Sequence, residues 1–183
     1  MKNNNVTKLI QASIFLALAM ILQIIGRNFV QINPILIGPL ISTIIFLTTY
    51  ISGLSLGILI GILIPLLGIL IGVVAGPFIP FVPVMILGNI ILIITFGILM
   101  YKGRTFLYAG IALSSILRYL FMTFASQYLI NIFNLNIPQK ILQQVLMLLS
   151  TPQLINALIG GIIAIIIIEI LNKRKLNFLK NLK

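Results

Sequence analysis

The side chains that could do chemistry in this sequence are a few polar groups inside long apolar stretches. Arg118 lies in the middle of one such stretch, Asn89 lies in a second, and Gln153 and Asn156 lie three residues apart in a third. That spacing places the last two on one face of a helix. Amides and a guanidinium donate and accept hydrogen bonds, so the pattern predicts a binding site for a small polar molecule.

Covalent catalysis and metal binding are disfavoured by the residue types that the sequence lacks. It contains no histidine, cysteine or aspartate, and Glu169 is its single acidic residue. Metal sites and general acid–base catalysis usually need those side chains. We therefore expect no catalytic residue, no metal site and no cofactor. Proton-driven carriers also relay protons through buried carboxylates or histidines, so energy for transport should come from another polypeptide.

Arg118 raises the question of what balances its charge. Glu169 is predicted near the inner end of the last helix, and the helical rise puts it roughly 10–15 Å from the depth of Arg118. Backbone carbonyls, water or a negative group on a ligand are the remaining partners, unless the side chain extends along its helix. Three further candidates for a pocket wall follow on nearby faces of the same helix: Tyr119, Met122 and Ser126.

The two asparagines also have two interpretations. If the helices that carry them both enter from the outer side, Asn89 and Asn156 lie at similar depth. They could then hydrogen-bond to each other, or they could present donors and acceptors to a ligand.

The elements that must position these residues are transmembrane helices. The chain has 183 residues, of which 61% are hydrophobic and only 7% charged. Apolar runs of roughly 20 residues match the thickness of a bilayer core. We therefore predict an all-α integral membrane protein, a six-transmembrane-helix bundle in one domain over residues 1–183. The predicted helices cover about 8–25, 34–51, 53–74, 82–101, 105–130 and 152–171.

The distribution of lysine and arginine predicts the orientation, because cytoplasmic segments carry an excess of both. With the N- and C-termini cytoplasmic, nine basic residues fall inside, and only Arg27 and Lys140 fall outside. The nine are Lys2, Lys8, Lys102, Arg104, Lys173, Arg174, Lys175, Lys180 and Lys183. The net charge of +11 therefore follows membrane topology and does not indicate nucleic-acid binding.

Three other segments carry predictions. Residues 138–150 have apolar residues at helical spacing, which predicts an amphipathic helix at the outer surface, either a lid over a pocket or an interfacial segment. Asn33 and Phe78 belong to loops predicted outside, where they could close the mouth of a pocket. Six glycines in and around the third helix predict close helix packing: Gly53, Gly57, Gly61, Gly68, Gly72 and Gly76.

Two motifs give the chain a family resemblance. The segment Gly-Pro-Phe-Ile-Pro-Phe at 76–81, followed by Gly88-Asn89, and the run Pro152-Gln-Leu-Ile-Asn-Ala-Leu-Ile-Gly-Gly161 resemble the substrate-binding S-components of energy-coupling factor (ECF) transporters. The resemblance implies a subunit that captures a vitamin or related micronutrient outside the cell. It also implies as partners a transmembrane coupling protein and two cytoplasmic ATPases, with the chain in the bacterial cytoplasmic membrane.

The resemblance further implies where ligand and partner bind. S-components place the ligand near the outer surface among helices four to six, where Asn89, Gln153 and Asn156 fall. Many carry a small-residue motif on helix one for docking to the coupling protein, and Ser13 and Ala17 are the nearest match, with serine in place of the usual alanine.

The substrate class and two alternative functions remain open at this level. Without tryptophan or a carboxylate in the outer half, a neutral or anionic heterocycle fits better than a strongly cationic ligand such as thiamine. A structural or assembly membrane protein with a similar small bundle is one alternative. A stand-alone small carrier or channel is another.

Overall fold

A computed structural model describes residues 2–29, 36–133 and 138–181, and these ranges contain helices without β-strands. Seven α-helices follow in chain order: α1 (Lys2–Asn28), α2 (Gly38–Ser52), α3 (Leu54–Ile71), α4 (Val82–Met100), α5 (Arg104–Phe133), α6 (Gln139–Leu149) and α7 (Thr151–Asn181). A short 3-10 helix, Gly76–Phe81, leads directly into α4.

The chain is an all-helical membrane bundle. In the described ranges, five helical segments are long and apolar enough to cross a membrane: Asn5–Asn28, Leu54–Ile71, Gly76–Met100, Thr105–Ile130 and Gln139–Lys173. α2 is also apolar but has only 15 residues. The prediction of a helical membrane bundle is confirmed, whereas six spans with cytoplasmic termini stay a prediction.

α2 is the central helix of the bundle, because it packs against α1, α3, α4 and α7. Residues 42–49 are all buried, although several of them carry hydroxyl groups. Thr43, Thr48 and Thr49 each donate to the backbone carbonyl four residues earlier, at 2.7–3.0 Å. These bonds give the three threonine hydroxyls acceptors within their own helix, which allows α2 to be buried at the centre; Thr43 Oγ1 also lies 3.0 Å from the carbonyl oxygen of Gly160 in α7.

Glycines allow several of these helices to approach closely. A Cβ on Gly160 of α7 would lie 2.4 Å from the carbonyl oxygen of Pro39 in α2, and a Cβ on Gly61 of α3 would lie 2.5 Å from Ile93 of α4. Gly57 is buried against Thr49 in the same manner. Small residues at helix contacts are typical of membrane bundles.

The six glycines in and around α3 have two roles, so the prediction that all of them serve close helix packing was wrong in part. Gly57, Gly61 and Gly68 are buried within α3. The other three lie outside the helix with positive φ: Gly53, Gly72 and Gly76. Gly72 ends α3 in the left-handed conformation, and its N–H donates to Ile69.

Hydrogen bonds define the two ends of the bundle. Arg27, at the end of α1, donates from Nη1 to the carbonyl of Ile71 at the end of α3, at 2.5 Å. We call this the Arg27 end. The other end of the bundle is where α2 ends and α3 begins. There the hydroxyl of Tyr50 in α2 accepts a hydrogen bond of 3.0 Å from Asn172 of α7.

The observed elements differ from the predicted ones mainly at their ends. α1 begins at Lys2 and α7 continues to Asn181, through the basic segment that was expected to be a tail. α3 stops at Ile71 and not at 74, because Gly72 turns the backbone. Residues 76–81 form a 3-10 helix where a loop was predicted. The start of the second predicted helix, at Pro34, lies outside the described residues.

Candidate functional site

The centre of the candidate site is a hydrogen bond between α5 and α7. Arg118 donates from Nη2 to Oε1 of Gln153 at 3.0 Å. Arg118 is only 8% exposed, and its Nε and Nη1 atoms have no hydrogen-bond partner among the described residues. The glutamine side chain is a partner that was not among the candidates considered for Arg118 from the sequence.

Gln153 also connects this pair to α6. Its Nε2 donates to the carbonyl oxygen of Leu148 at 3.3 Å. Leu148 lies in the last turn of α6, and Ser150 alone separates α6 from α7. One side chain therefore links the buried guanidinium to the end of the amphipathic helix.

A small apolar cluster lies next to Arg118 and joins α4, α5, α6 and the 3-10 helix. Met122, one turn after Arg118, is fully buried against Gly88 of α4, where a Cβ would lie 2.8 Å from Met122 Cγ. The buried members of the cluster are Phe81, Val84, Met122, Val145 and Leu149. Phe78 packs against it from the 3-10 helix. α6 and the 3-10 helix thus cover the bundle beside Arg118.

Asn89 has a partner that explains its position in an apolar helix. Its Nδ2 donates to the carbonyl oxygen of Gly61 in α3 at 2.8 Å. Pro65 stands four residues after Gly61 and has no N–H, so that carbonyl cannot receive its usual hydrogen bond within the helix. Asn89 therefore supplies the missing donor from α4.

The Oδ1 atom of Asn89 has no hydrogen-bond partner among the described residues, so Asn156 does not donate to it. Asn156 is buried, and its side-chain amide lies against Gly38 of α2, where a Cβ would be 2.3 Å from Nδ2. Asn89 thus faces α3 and Asn156 faces α2. Of the two interpretations made from the sequence, direct pairing is wrong for this reason.

Other polar atoms near the centre of α5 also lack partners within the described part of the chain. They are Thr123 Oγ1 and Ser126 Oγ. Ser126 is fully buried two turns beyond Arg118, on the same helix as Met122. Tyr119 is only partly buried.

Sequence reasoning missed one buried amide, Gln23 of α1. It is 5% exposed, and its Nε2 donates to the carbonyl of Ile64 at 3.1 Å. A glutamine inside the apolar run of α1, far from its polar N-terminal residues, was the available signal. Its contact with α3 gives it a structural role between two helices.

An apolar groove of about 630 Å³ lies between α4 and α5, on the outside of the bundle. Its lining consists of Ile91, Leu117, Leu120, Phe121, Phe124, Ala125 and Tyr128. Several of these side chains are strongly exposed, as expected for a surface that faces lipid acyl chains. The groove offers almost no hydrogen-bonding groups, so it is not a site for a polar ligand.

The remaining predicted residues fall in two places. Ser13 and Ala17 lie on the exposed face of α1, and Ser13 Oγ donates to Leu9 of its own helix at 3.0 Å. Asn33 lies outside the described residues. In the described ranges, no three His, Cys, Asp or Glu side chains come together as metal ligands.

Comparison with known proteins gives one match. The sequence model of a family described as "ECF transporter, substrate-specific component" matches residues 7–172, which is most of the chain. No curated protein and no solved structure matches.

Proposed function

The chain belongs to the substrate-specific components of ECF transporters, and we propose that it captures a small vitamin or vitamin precursor, a neutral or anionic heterocycle, for import. Membership of the family identifies the chain as a membrane-bound, substrate-binding transport subunit. The members of this family are transport subunits and not enzymes. The family match over residues 7–172 is the observation that carries this proposal.

The proposed binding site is the space around the Arg118–Gln153 hydrogen bond, beneath α6 and the 3-10 helix. Arg118 has donors without partners, and Gln153 and Met122 fix its surroundings. Asn156, three residues after Gln153, adds a second amide to the same part of α7. Asn33, Phe78, Asn89 and Tyr119 remain proposed members of the site or of its mouth.

The proposed partners are the parts of an ECF module: a transmembrane coupling protein and two cytoplasmic ATPases. Membership of the family implies association with such a module. α1 is the least buried of the candidate spans, and it exposes apolar residues along most of its length. We place the docking surface on this face, where Ser13 and Ala17 allow a neighbouring helix to approach closely.

The proposed location is the bacterial cytoplasmic membrane, with both termini on the cytoplasmic side. The Arg27 end of the bundle then faces outward, together with α6 and Gln153. This orientation is supported by the distribution of basic residues, since nine of the twelve then fall in cytoplasmic segments. A substrate would accordingly reach Arg118 from outside the cell.

The proposal is tested first by binding. The purified protein in detergent is screened by thermal unfolding against the B vitamins, biotin and their biosynthetic precursors. A ligand present at 100 times its dissociation constant should stabilise the protein by about 2.7 kcal/mol. If none of these molecules raises the unfolding temperature, a structural or assembly role is favoured.

Transport assays then separate a subunit from a carrier that works alone. Lipid vesicles contain the chain alone, an ECF module alone, or both, with ATP inside or outside. We expect uphill uptake of the bound vitamin only when both proteins are present and ATP is on the side of the membrane that carries the ATPases. Uptake by the chain alone would favour a stand-alone carrier.

A further inference from the structure

The guanidinium of Arg118 is held on one side only. An arginine carries five N–H donors, one on Nε and two on each terminal nitrogen. Nη2 donates to Gln153, while Nε and Nη1, with three donors between them, have no partner in the described part of the chain. The side chain is nevertheless more than nine-tenths buried.

Among the described residues, no acidic side chain lies close enough to balance the charge of this guanidinium. Glu169 is the only acidic residue in the whole sequence, and its carboxylate accepts a hydrogen bond from the hydroxyl of Tyr108. Tyr108 lies ten residues before Arg118 on α5, which is about 15 Å along the helix axis. A buried positive charge without a carboxylate is unfavourable unless another molecule provides the negative group.

Gln153 orients the guanidinium without neutralising it. Its Oε1 accepts from Arg118 while its Nε2 donates to Leu148, so both ends of the amide are engaged. A carboxylate at this position would cancel the charge of Arg118. A glutamine fixes the plane of the guanidinium and leaves the positive charge available.

We propose that the substrate carries a carboxylate, and that this group binds to the free Nε and Nη1 side of Arg118 while Gln153 holds the guanidinium from the other side. This inference rests on the proposed function, and it narrows the substrate class from neutral or anionic to anionic. The planar guanidinium matches carboxylate geometry and binds it through parallel hydrogen bonds. One negative charge balances one arginine, and no other basic residue lies within α5 between Thr105 and Phe133.

The test identifies what the protein retains. The whole protein, purified in detergent, is incubated with the fraction of yeast extract below about 1 kDa, washed, and analysed by mass spectrometry. We expect a retained molecule with a carboxylate, and we expect its primary amide derivative to bind about 100-fold more weakly, because charge-assisted hydrogen bonds are lost. An uncharged or cationic retained molecule, or equal affinity of acid and amide, would overturn the inference and leave the proposed function standing. Retention of no small molecule would overturn both.

Variants show whether Arg118 is the group responsible. Arg118→Met should abolish the preference for the acid over its amide. Arg118→Lys, which keeps the positive charge, should retain part of this preference. Lys102→Met, in the hairpin between α4 and α5, removes one positive charge at the far end of the bundle and should leave both affinities unchanged.

Without ligand, Arg118→Met should unfold at the same or a higher temperature than the wild type, since it removes a buried charge. A lower unfolding temperature of the ligand-free variant would instead assign Arg118 a structural role and contradict the inference. Should the variant not fold, the acid and amide comparison on the wild type still decides.

Discussion

The side-chain amide of Asn89 compensates for a proline on another helix. Pro65 leaves the carbonyl of Gly61 without its helical donor, and Asn89 approaches to 2.8 Å across the α3–α4 contact. A Cβ on Gly61 would lie 3.3 Å from Asn89 Cβ, so the glycine also gives the amide room to approach. In a membrane, an unsatisfied backbone carbonyl costs several kcal/mol, which makes this contact part of the fold.

Removal of this amide should therefore destabilise the protein. We expect Asn89→Ala to lower the free energy of unfolding by about 1–3 kcal/mol, because a buried acceptor loses its donor. The measurement is chemical or thermal unfolding of the ligand-free protein in detergent.

A double-mutant cycle tests the reason. Pro65→Ala restores an N–H to α3, which can then donate to Gly61. In the Pro65→Ala background, Asn89→Ala should lower the free energy of unfolding by only about a few tenths of a kcal/mol. Equal costs with proline and with alanine at position 65 would show that Asn89 does not act through this carbonyl.

The sequence identified the unusual polar residues but not their partners. Arg118, Asn89, Gln153 and Asn156 stand out because polar groups are rare in apolar helices. Their contacts depend on which helix faces which, and periodicity within one helix does not contain that information. A link between Pro65 and Asn89 could have been suspected only with knowledge that α3 and α4 are neighbours.

At the level of the helices, close packing at glycine sets the contact between α2 and α7. Gly160 lies against the backbone of α2, at the carbonyl of Pro39 and the N–H of Thr43. Thr43 also donates from Oγ1 to the carbonyl of Gly160 at 3.0 Å. Backbone atoms cannot move aside as a side-chain tip can, so this contact tolerates no added carbon.

Gly160→Ala should force α2 and α7 apart. We expect a loss of about 1–3 kcal/mol in the free energy of unfolding, as for other overpacked cores. Thermal unfolding with and without the bound vitamin measures the effect on the fold and on the site. The control is Ile162→Ala on the exposed face of α7, which should change stability by less than about 0.5 kcal/mol. A neutral Gly160→Ala variant would contradict the packing described for α2 and α7.

At the level of the whole molecule, the two ends of the bundle differ in charge and in the elements that they carry. The Arg27 end carries the 3-10 helix, α6 and the start of α7 with Gln153. The other end holds the Tyr101–Gly103 hairpin between α4 and α5 and the contact between Tyr108 and Glu169. If the proposed orientation is correct, the substrate enters at the first end and the ATPases act at the second.

The orientation can be tested directly because the sequence has no cysteine. Single cysteines replace Lys140 in α6 and Lys102 in the hairpin, and intact cells are treated with a membrane-impermeant maleimide. We expect labelling of Lys140→Cys in intact cells, and of Lys102→Cys only after the membrane is permeabilised. The reverse pattern would place the site on the cytoplasmic side.

The architecture was more predictable than the arrangement. Apolar run length and the basic residues were enough to predict a helical membrane bundle, because the bilayer imposes both patterns. The central position of α2 was not predictable: the helix is short and rich in serine and threonine, but these features do not indicate which helices surround it. Which helix occupies the centre follows from contacts between distant residues, such as Thr43 with Gly160.

The single-residue connection at Ser150 limits how α6 can move. α6 is an 11-residue rod, about 16 Å long, and one of its ends is fixed to α7 through this residue. It can therefore swing about Ser150 but cannot slide away from the bundle as a unit. A rotation of 10° at this pivot would displace its far end by about 3 Å, while Leu148, beside the pivot, would hardly shift. Such a rotation would widen the entrance of the proposed site at the Gln139 side without breaking the contact from Gln153 to Leu148.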